Sequence, residues 1–449
     1  MAHDRNSRSE TSPLLRNHDS DDEEDPHTAV TPSKPNYKAR AFVWGALTLI
    51  FASALVLILG FQQSLPDAFR PWLGLLPRDP AMAALTILKA APVIDGHIDL
   101  PILIRELYSN NISAVNLKSI MPGHVDIPRL RQGVVGGFFW SVYVPCPEEE
   151  NDKDFTKSSW RVRDTLEQID VARSLIDKYP DTFQFVLASD DVKNAVVDGK
   201  IASILGVEGG HQLGNSIAVL RQYYNLGVRY VTLTHTCHNA FADSSGTLVP
   251  LHNGLSRFGL RLIDEMNRLG ILVDLSHTSD ATALQALNYS KAPIIWSHSS
   301  ARALHEAPRN VPDDILQYLG TGRGKKDGVI MVNFVPKYIA VPGNASVDIV
   351  ADHIEHIARI AGKEHVGLGS DFDGIPDVPK GLEDVSKYPA LIAELYRRGW
   401  NRYELAGLTG SNILRVLRAA EDVAKELQDV LTEPVYDLYD KRNDIPKQY

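Results

Sequence analysis

Eight short runs of apolar, β-favouring residues recur along the chain, each bounded by Gly, Pro or polar residues. They cover residues 92–95, 134–143, 201–205, 228–233, 271–274, 293–296, 329–333 and 366–368. None alternates cleanly between apolar and polar positions, which is the pattern of strands buried on both faces. Between them the period lengthens to that of a helix. Leu166, Ile169, Ala172 and Ile176 form one apolar stripe; Phe258, Leu262, Met266 and Leu269 form a second; Val350, Ile354, Ile357 and Ala361 form a third. Repeated strand–helix units predict an α/β fold with a parallel sheet. Eight units can close into a (β/α)8 TIM-like barrel, expected over residues 86–432, with an open doubly wound sheet as the alternative.

The chain ahead of this region has another character. Residues 41–61 carry no charge, and as a helix they would span about 31 Å, the thickness of a bilayer core. A transmembrane helix is predicted there. Residues 1–40 hold few large apolar side chains and the acidic run Asp21 to Asp25, so they are expected to form a disordered tail. Lys34, Lys38 and Arg40 precede the span, against Arg70 and Arg78 after it, which favours a cytosolic tail. The expectation is a single-pass type II membrane protein, held in the lipid bilayer through 41–61, with its large domain lumenal or extracellular. Residues 62–85 read as a proline-punctuated stalk and 433–449 as a polar C-terminal tail. Asn111, Asn288 and Asn344 each open a glycosylation triplet that suits this orientation.

Composition narrows the function. The formal net charge is −10, so there is no basic excess to neutralise phosphates and no nucleic-acid partner is expected. Two cysteines are too few for a disulfide scaffold or a four-cysteine zinc module. Cys146 and Cys237 follow the second and fourth strand runs, which places them at one barrel mouth. A disulfide between them is expected in an oxidising compartment.

Six of the eight runs end in ionisable groups: His97 and Asp99, then Glu208, His235, His277, His298 and Asp371. In a barrel the C-terminal strand ends converge on one mouth, where chemistry is done. His97 and Asp99, two residues apart, point to the same side of an extended chain. Imidazoles with carboxylates suit zinc better than calcium. His97, Asp99, Glu208, His277 and His298 give more donors than one tetrahedral zinc uses. Two zinc ions sharing Glu208 could use them all and would support hydrolysis by a metal-bound hydroxide. No His-Glu-x-x-His and no Gly-x-Ser-x-Gly occurs, and the glycine-rich run 320–326 lacks phosphate-loop spacing. Phe138, Phe139 and Trp140 read as barrel core. His211, His238, His252 and His305 read as surface or supporting residues.

Seven segments carry a resemblance: Val93-Ile-Asp-Gly-His-Ile-Asp-Leu-Pro101, Gly206-Val-Glu-Gly-Gly-His211, Thr232-Leu-Thr-His235, Asp274-Leu-Ser-His277, Ser297-His-Ser-Ser-Ala301, Arg309-Asn-Val-Pro-Asp-Asp314 and Gly369-Ser-Asp-Phe-Asp-Gly374. In this order, over about 90–420, the sequence resembles the membrane dipeptidase (renal dipeptidase) family. The resemblance implies a zinc metallopeptidase on an amidohydrolase-like barrel that cleaves dipeptides. It implies one zinc on His97 and Asp99, a second on His277 and His298, and Glu208 bridging both. It makes His235 a catalytic and substrate-contacting residue, Arg309 the receptor for the dipeptide carboxylate, and Asp371 the acid/base carboxylate, with Asp373 as the alternative. The chain departs from familiar animal members, which use a GPI anchor. With only two cysteines, further family disulfides between subunits are in doubt, and a homodimer stays open. The alternative function is another binuclear amidohydrolase, acting on N-acyl amino acids or cyclic amides.

Overall fold

The computed structural model describes residues 36–61, 66–67, 70, 74–147, 154–157, 160–247 and 249–445. The tail up to residue 35, with Lys34, and parts of the expected stalk lie outside the described residues. Two units separate, residues 1–65 and 66–449. In the first, one helix runs Tyr37–Phe61 and is long and apolar enough to cross a membrane. It begins four residues ahead of the uncharged run, so Lys38 and Arg40 lie in its first turn.

In the second unit all eight sequence runs are strands: β1 (Val93–Ile98), β2 (Val135–Val142), β4 (Ile201–Glu208), β5 (Val228–Thr232), β6 (Leu272–Asp274), β7 (Ile294–Trp296), β8 (Gly328–Val332) and β9 (Val366–Leu368). They pair in parallel in the order β1-β2-β4-β5-β6-β7-β8-β9. The ring is nearly closed, because Ile98 bridges Phe372 and two backbone bonds cross the seam: Asp99 N to Phe372 O at 2.8 Å and Asp371 N to His97 O at 3.0 Å. The additional β3 (Phe183–Phe185) pairs with the start of β4, upstream of where β5 joins it.

Alternate strand residues divide between two cores. Ile94, Phe139, Ile204, Tyr230, Leu272, Ile295, Val329 and Met331 share one cluster. Val93, Phe138, Trp140, Leu205, Val231, Val273, Ile294 and Ile330 belong to a second, with the helices. That period of two is what a barrel wall imposes. Gly206 is required by this packing: a Cβ there would lie 2.1 Å from the Tyr230 ring.

Two of the predicted helical stripes are buried throughout, on helices Arg257–Leu269 and Val347–Ala361. On helix Arg161–Lys178 the stripe is displaced. Leu166 is 42% exposed, and Thr165 and Gln168 are buried instead, with Thr165 Oγ1 donating to Gln212 Oε1 at 2.8 Å. The globular unit also exceeds 86–432. Helix Pro80–Ala90 buries Ala83, Ala84, Ile87 and Leu88, so the expected stalk ends in core structure. Beyond 432, Val435 and Tyr439 are buried, with Val435 N donating to Glu265 and Val435 O accepting from Arg221.

Candidate metal centre and active site

Each barrel strand that ends in a donor presents it at the same mouth. His97 lies in β1 and Asp99 just past it; Glu208 closes β4; His235, His277, His298 and Asp371 follow β5, β6, β7 and β9. Four histidines gather around one carboxylate oxygen, and two further carboxylates flank His97. Glu208 Oε1 is 3.1 Å from His277 Nε2, 3.3 Å from His298 Nε2, 3.6 Å from His97 Nε2 and 3.8 Å from His235 Nε2. His97 Nε2 is 3.1 Å from Asp99 Oδ2 and 3.9 Å from Asp371 Oδ1, while the Nε2 atoms of His277 and His298 stand 3.0 Å apart. His277 and Asp371 hold positive φ, 62° and 67°, a local strain of about 1–3 kcal/mol each that the surrounding hydrogen bonds must sustain.

The electrostatics call for a cation. Burial pushes the Glu208 carboxyl well above its ordinary range, with Asp99 and Asp371 adding to the rise. Burial, then Asp99, lifts Asp371 to about 8. Burial opposes protonation of His97, but Asp99 and Glu208 outweigh it and raise this imidazole to about 10. His277 and His298 are driven well below their ordinary value by burial. His97 Nε2 and Asp99 Oδ1 are buried without a hydrogen-bond partner. Three overlapping donor sets share the site: His97, Asp99, Glu208; Glu208, His277, His298; and His97, His298, Asp371. Crowded carboxylates, imidazole nitrogens and orphaned donor atoms fit divalent metal ions.

Residues that the sequence reading passed over hold these groups in place. His97 Nδ1 meets Tyr230 Oη at 2.8 Å, and His298 Nδ1 meets Ser297 Oγ at 2.8 Å. Asp95 is fully buried and accepts from His97 N at 2.8 Å, Ser370 N at 3.1 Å and Tyr388 Oη at 2.6 Å, tying β1 to the end of β9. Asp274 closes β6 in the equivalent place. The available signal was an aspartate two or three residues ahead of a histidine, at both 95 and 274. Gly374 completes the seam: a Cβ there would lie 2.3 Å from Asp99 Oδ2 and 2.7 Å from Asp371 Oδ1.

Arg309 is buried beside the centre. Its Nη2 donates to His298 O at 2.6 Å and its Nη1 to Ser299 Oγ, while Nε has no partner. His235 is held neutral, lowered to about 3 by burial, and its ring lies 4.8 Å from that of Tyr143. Asp373 points away: it accepts from His124 N at 2.5 Å and braces the loop. Cys146 and Cys237 form a disulfide, with buried His211 beside it. His211 Nε2 bonds Val144 O at 2.8 Å, a supporting position. Phe138, Phe139 and Trp140 are core. Asn111, Asn288 and Asn344 are exposed, but Ser290 of the second triplet is buried.

Comparison with known proteins gives concordant matches. The family described as membrane dipeptidase (peptidase family M19) matches residues 82–430. The chain is 43% identical over 368 residues to the dipeptidase verJ of Clonostachys rogersoniana, covering 81% of this chain and 93% of that protein. It is 47% identical over 359 residues to an uncharacterised dipeptidase of Schizosaccharomyces pombe, covering 78% and 86%. Among solved structures, a metallo peptidase from Rhodobacter sphaeroides, liganded with a phosphinate mimic of the dipeptide L-Ala-D-Ala, aligns with a TM-score of 0.64 at 25% identity. That alignment covers 73% of this chain and 99% of the other.

Proposed function

The chain belongs to the membrane dipeptidase family of metallopeptidases, and from that premise we propose that it hydrolyses dipeptides at two zinc ions. The observation that carries the two-ion reading is the convergence of His97, His277 and His298 on Glu208 Oε1, within 3.1–3.6 Å. His97 and Asp99 would hold one ion, His277 and His298 the other, with Glu208 shared. Bound zinc supplies Lewis acidity, which lowers the pKa of water and polarises a carbonyl.

The remaining work falls to the chain's own residues. Asp371, whose Oδ1 lies 3.9 Å from His97 Nε2, stands where it can accept the proton of the attacking water and return it to the leaving amine as the C–N bond breaks. His235 is neutral, and Thr236 Oγ1 lies 3.2 Å from its Nδ1. Its Nε2 lies 3.8 Å from Glu208 Oε1, facing the centre, and in the Nε2–H tautomer it can donate to the developing oxyanion. Arg309 has five N–H donors and spends two on His298 O and Ser299 Oγ; three remain for a substrate carboxylate. A clamp at that fixed place favours dipeptides over longer chains. The family assignment does not favour the N-acyl amino acid or cyclic-amide alternative.

The same reading includes the anchor: residues 1–40 cytosolic, residues 41–61 of the helix Tyr37–Phe61 in the bilayer, and the barrel lumenal or extracellular, with glycans on exposed triplets. The functional test is a panel on the full chain in detergent with zinc. Free dipeptides are cut, while tripeptides and N-acyl amino acids are not. Cleavage of N-acyl amino acids without dipeptides would reject the reading.

A further inference from the structure

Asp274 is fully buried at the end of β6, and all its acceptor positions are filled. Its Oδ1 accepts from Ser276 N at 3.0 Å and from Ser297 N at 2.8 Å. Its Oδ2 accepts from Thr232 Oγ1 at 2.5 Å and from Ser297 Oγ at 2.6 Å. A carboxylate offers about four lone-pair sites, so four donors leave no place for a proton. The group is therefore acceptor-only, and the single hydroxyl proton of Ser297 must be spent on Oδ2. Toward His298 Nδ1, 2.8 Å away, the Ser297 oxygen can then only accept. His298 accordingly carries its proton on Nδ1.

We propose that Asp274 and Ser297 form a hydrogen-bond relay that fixes the His298 proton on Nδ1 and leaves the Nε2 lone pair to the second metal ion. This rests on the two-ion reading above. The relay also sets direction: His298 N donates to Ser276 Oγ at 3.1 Å, so the backbone and the ring of His298 are both held from the β6 side. His97 is held differently, by Tyr230 Oη. Tyr230 also hydrogen-bonds Ser297, but only His298 takes its Nδ1 contact from Ser297 directly, so loss of the Ser297 hydroxyl should fall most heavily on the second ion. Asp274 and Ser297 are positioning residues, since both act through His298.

The test is stepwise zinc binding to metal-stripped full chain, followed by competition with a chromophoric chelator. Wild type should bind two ions. Ser297→Ala should weaken the second by about 10–100-fold while the first changes by less than about threefold, the usual cost of losing an outer-shell partner. Ser297→Thr keeps the hydroxyl and should restore the second affinity. If Ser297→Ala does not fold, Ser297→Cys, which fills the same space with a weak hydrogen-bonding group, should give the same selective loss. Two ions bound by Ser297→Ala or Ser297→Cys as tightly as by wild type would overturn the relay. So would equal weakening of both ions, which marks a general structural role. Fewer than two ions on wild type would reject the two-ion reading itself, and the relay with it.

Discussion

Replacing Arg309 by alanine should convert a carboxylate-reading peptidase into one that barely distinguishes free from amidated dipeptides. The side chain is 7% exposed, and its guanidinium already donates to His298 O and Ser299 Oγ, with Nε unpartnered. A substrate carboxylate would therefore take two of the three remaining N–H groups. Hydrogen bonds to charged groups contribute about 1.5–3 kcal/mol each, so two are worth roughly 3–6 kcal/mol, or about 10²–10⁴ in kcat/KM. The loss should appear mainly in KM, because the clamp holds ground state and transition state alike. Arg309 also braces the backbone at His298 through its bond to His298 O, so its removal should slow every substrate to some degree. The decisive quantity is the ratio of kcat/KM for a free dipeptide to that for its C-terminal amide, since damage to the centre lowers both equally. The ratio should be at least about 10² in wild type and fall below about 10 in Arg309→Ala. An unchanged ratio with both substrates slowed would refute the clamp and leave Arg309 a structural residue.

Asp371→Asn keeps shape and removes basicity; kcat should fall by about 10²–10⁴ with KM little changed, and a near-normal kcat in steady-state assays would move the proton shuttle elsewhere. His353 is buried, donates to Ile339 O at 2.9 Å, accepts from Ala301 N, and is lowered to about 4 by burial. Its folded value lies below its unfolded 6.5, so its contribution is present above pH 6.5 and is lost as pH falls toward 4. From pH 7.5 to pH 4, wild type should lose about 3 kcal/mol more stability than His353→Gln in urea unfolding, and parallel profiles would contradict this. Peptide mapping with and without glycosidase should find glycans on Asn111 and Asn344 and none on Asn288, whose triplet Ser290 donates to Ala292 O and is buried; a glycan on Asn288 alone would contradict both the site choice and its structural reason.

The barrel was legible because its strands are buried on both faces, so each stands out as an apolar run between polar loops. β3 was not: Phe-Gln-Phe is three residues long and gains its place only by filling the free edge of β4. Leu166 misled because spacing cannot tell an apolar stripe from a face that buries Thr165 against Gln212 and Gln168 against Asn110. Val435 and Tyr439 lie in a polar stretch whose packing against the barrel depends on Glu265 and Arg221, far away in sequence. Within the site, the donors were legible because they follow strand ends. Asp95, Asp274, Tyr230 and Ser297 were not, because their importance lies in which neighbour each one faces. No one-dimensional pattern distinguishes an aspartate that ends a strand from one that fixes the next strand's histidine.

The central claim, a dipeptidase that needs two metal ions, is tested most directly by one titration. Metal-stripped full chain is supplied with zinc in increments while hydrolysis of a free dipeptide is followed. Activity should rise from near zero and level off at two equivalents per chain, the number that His97, Asp99, Glu208, His277 and His298 can hold between them. A plateau at one equivalent, or no dipeptide cleavage at any zinc level, would contradict the account.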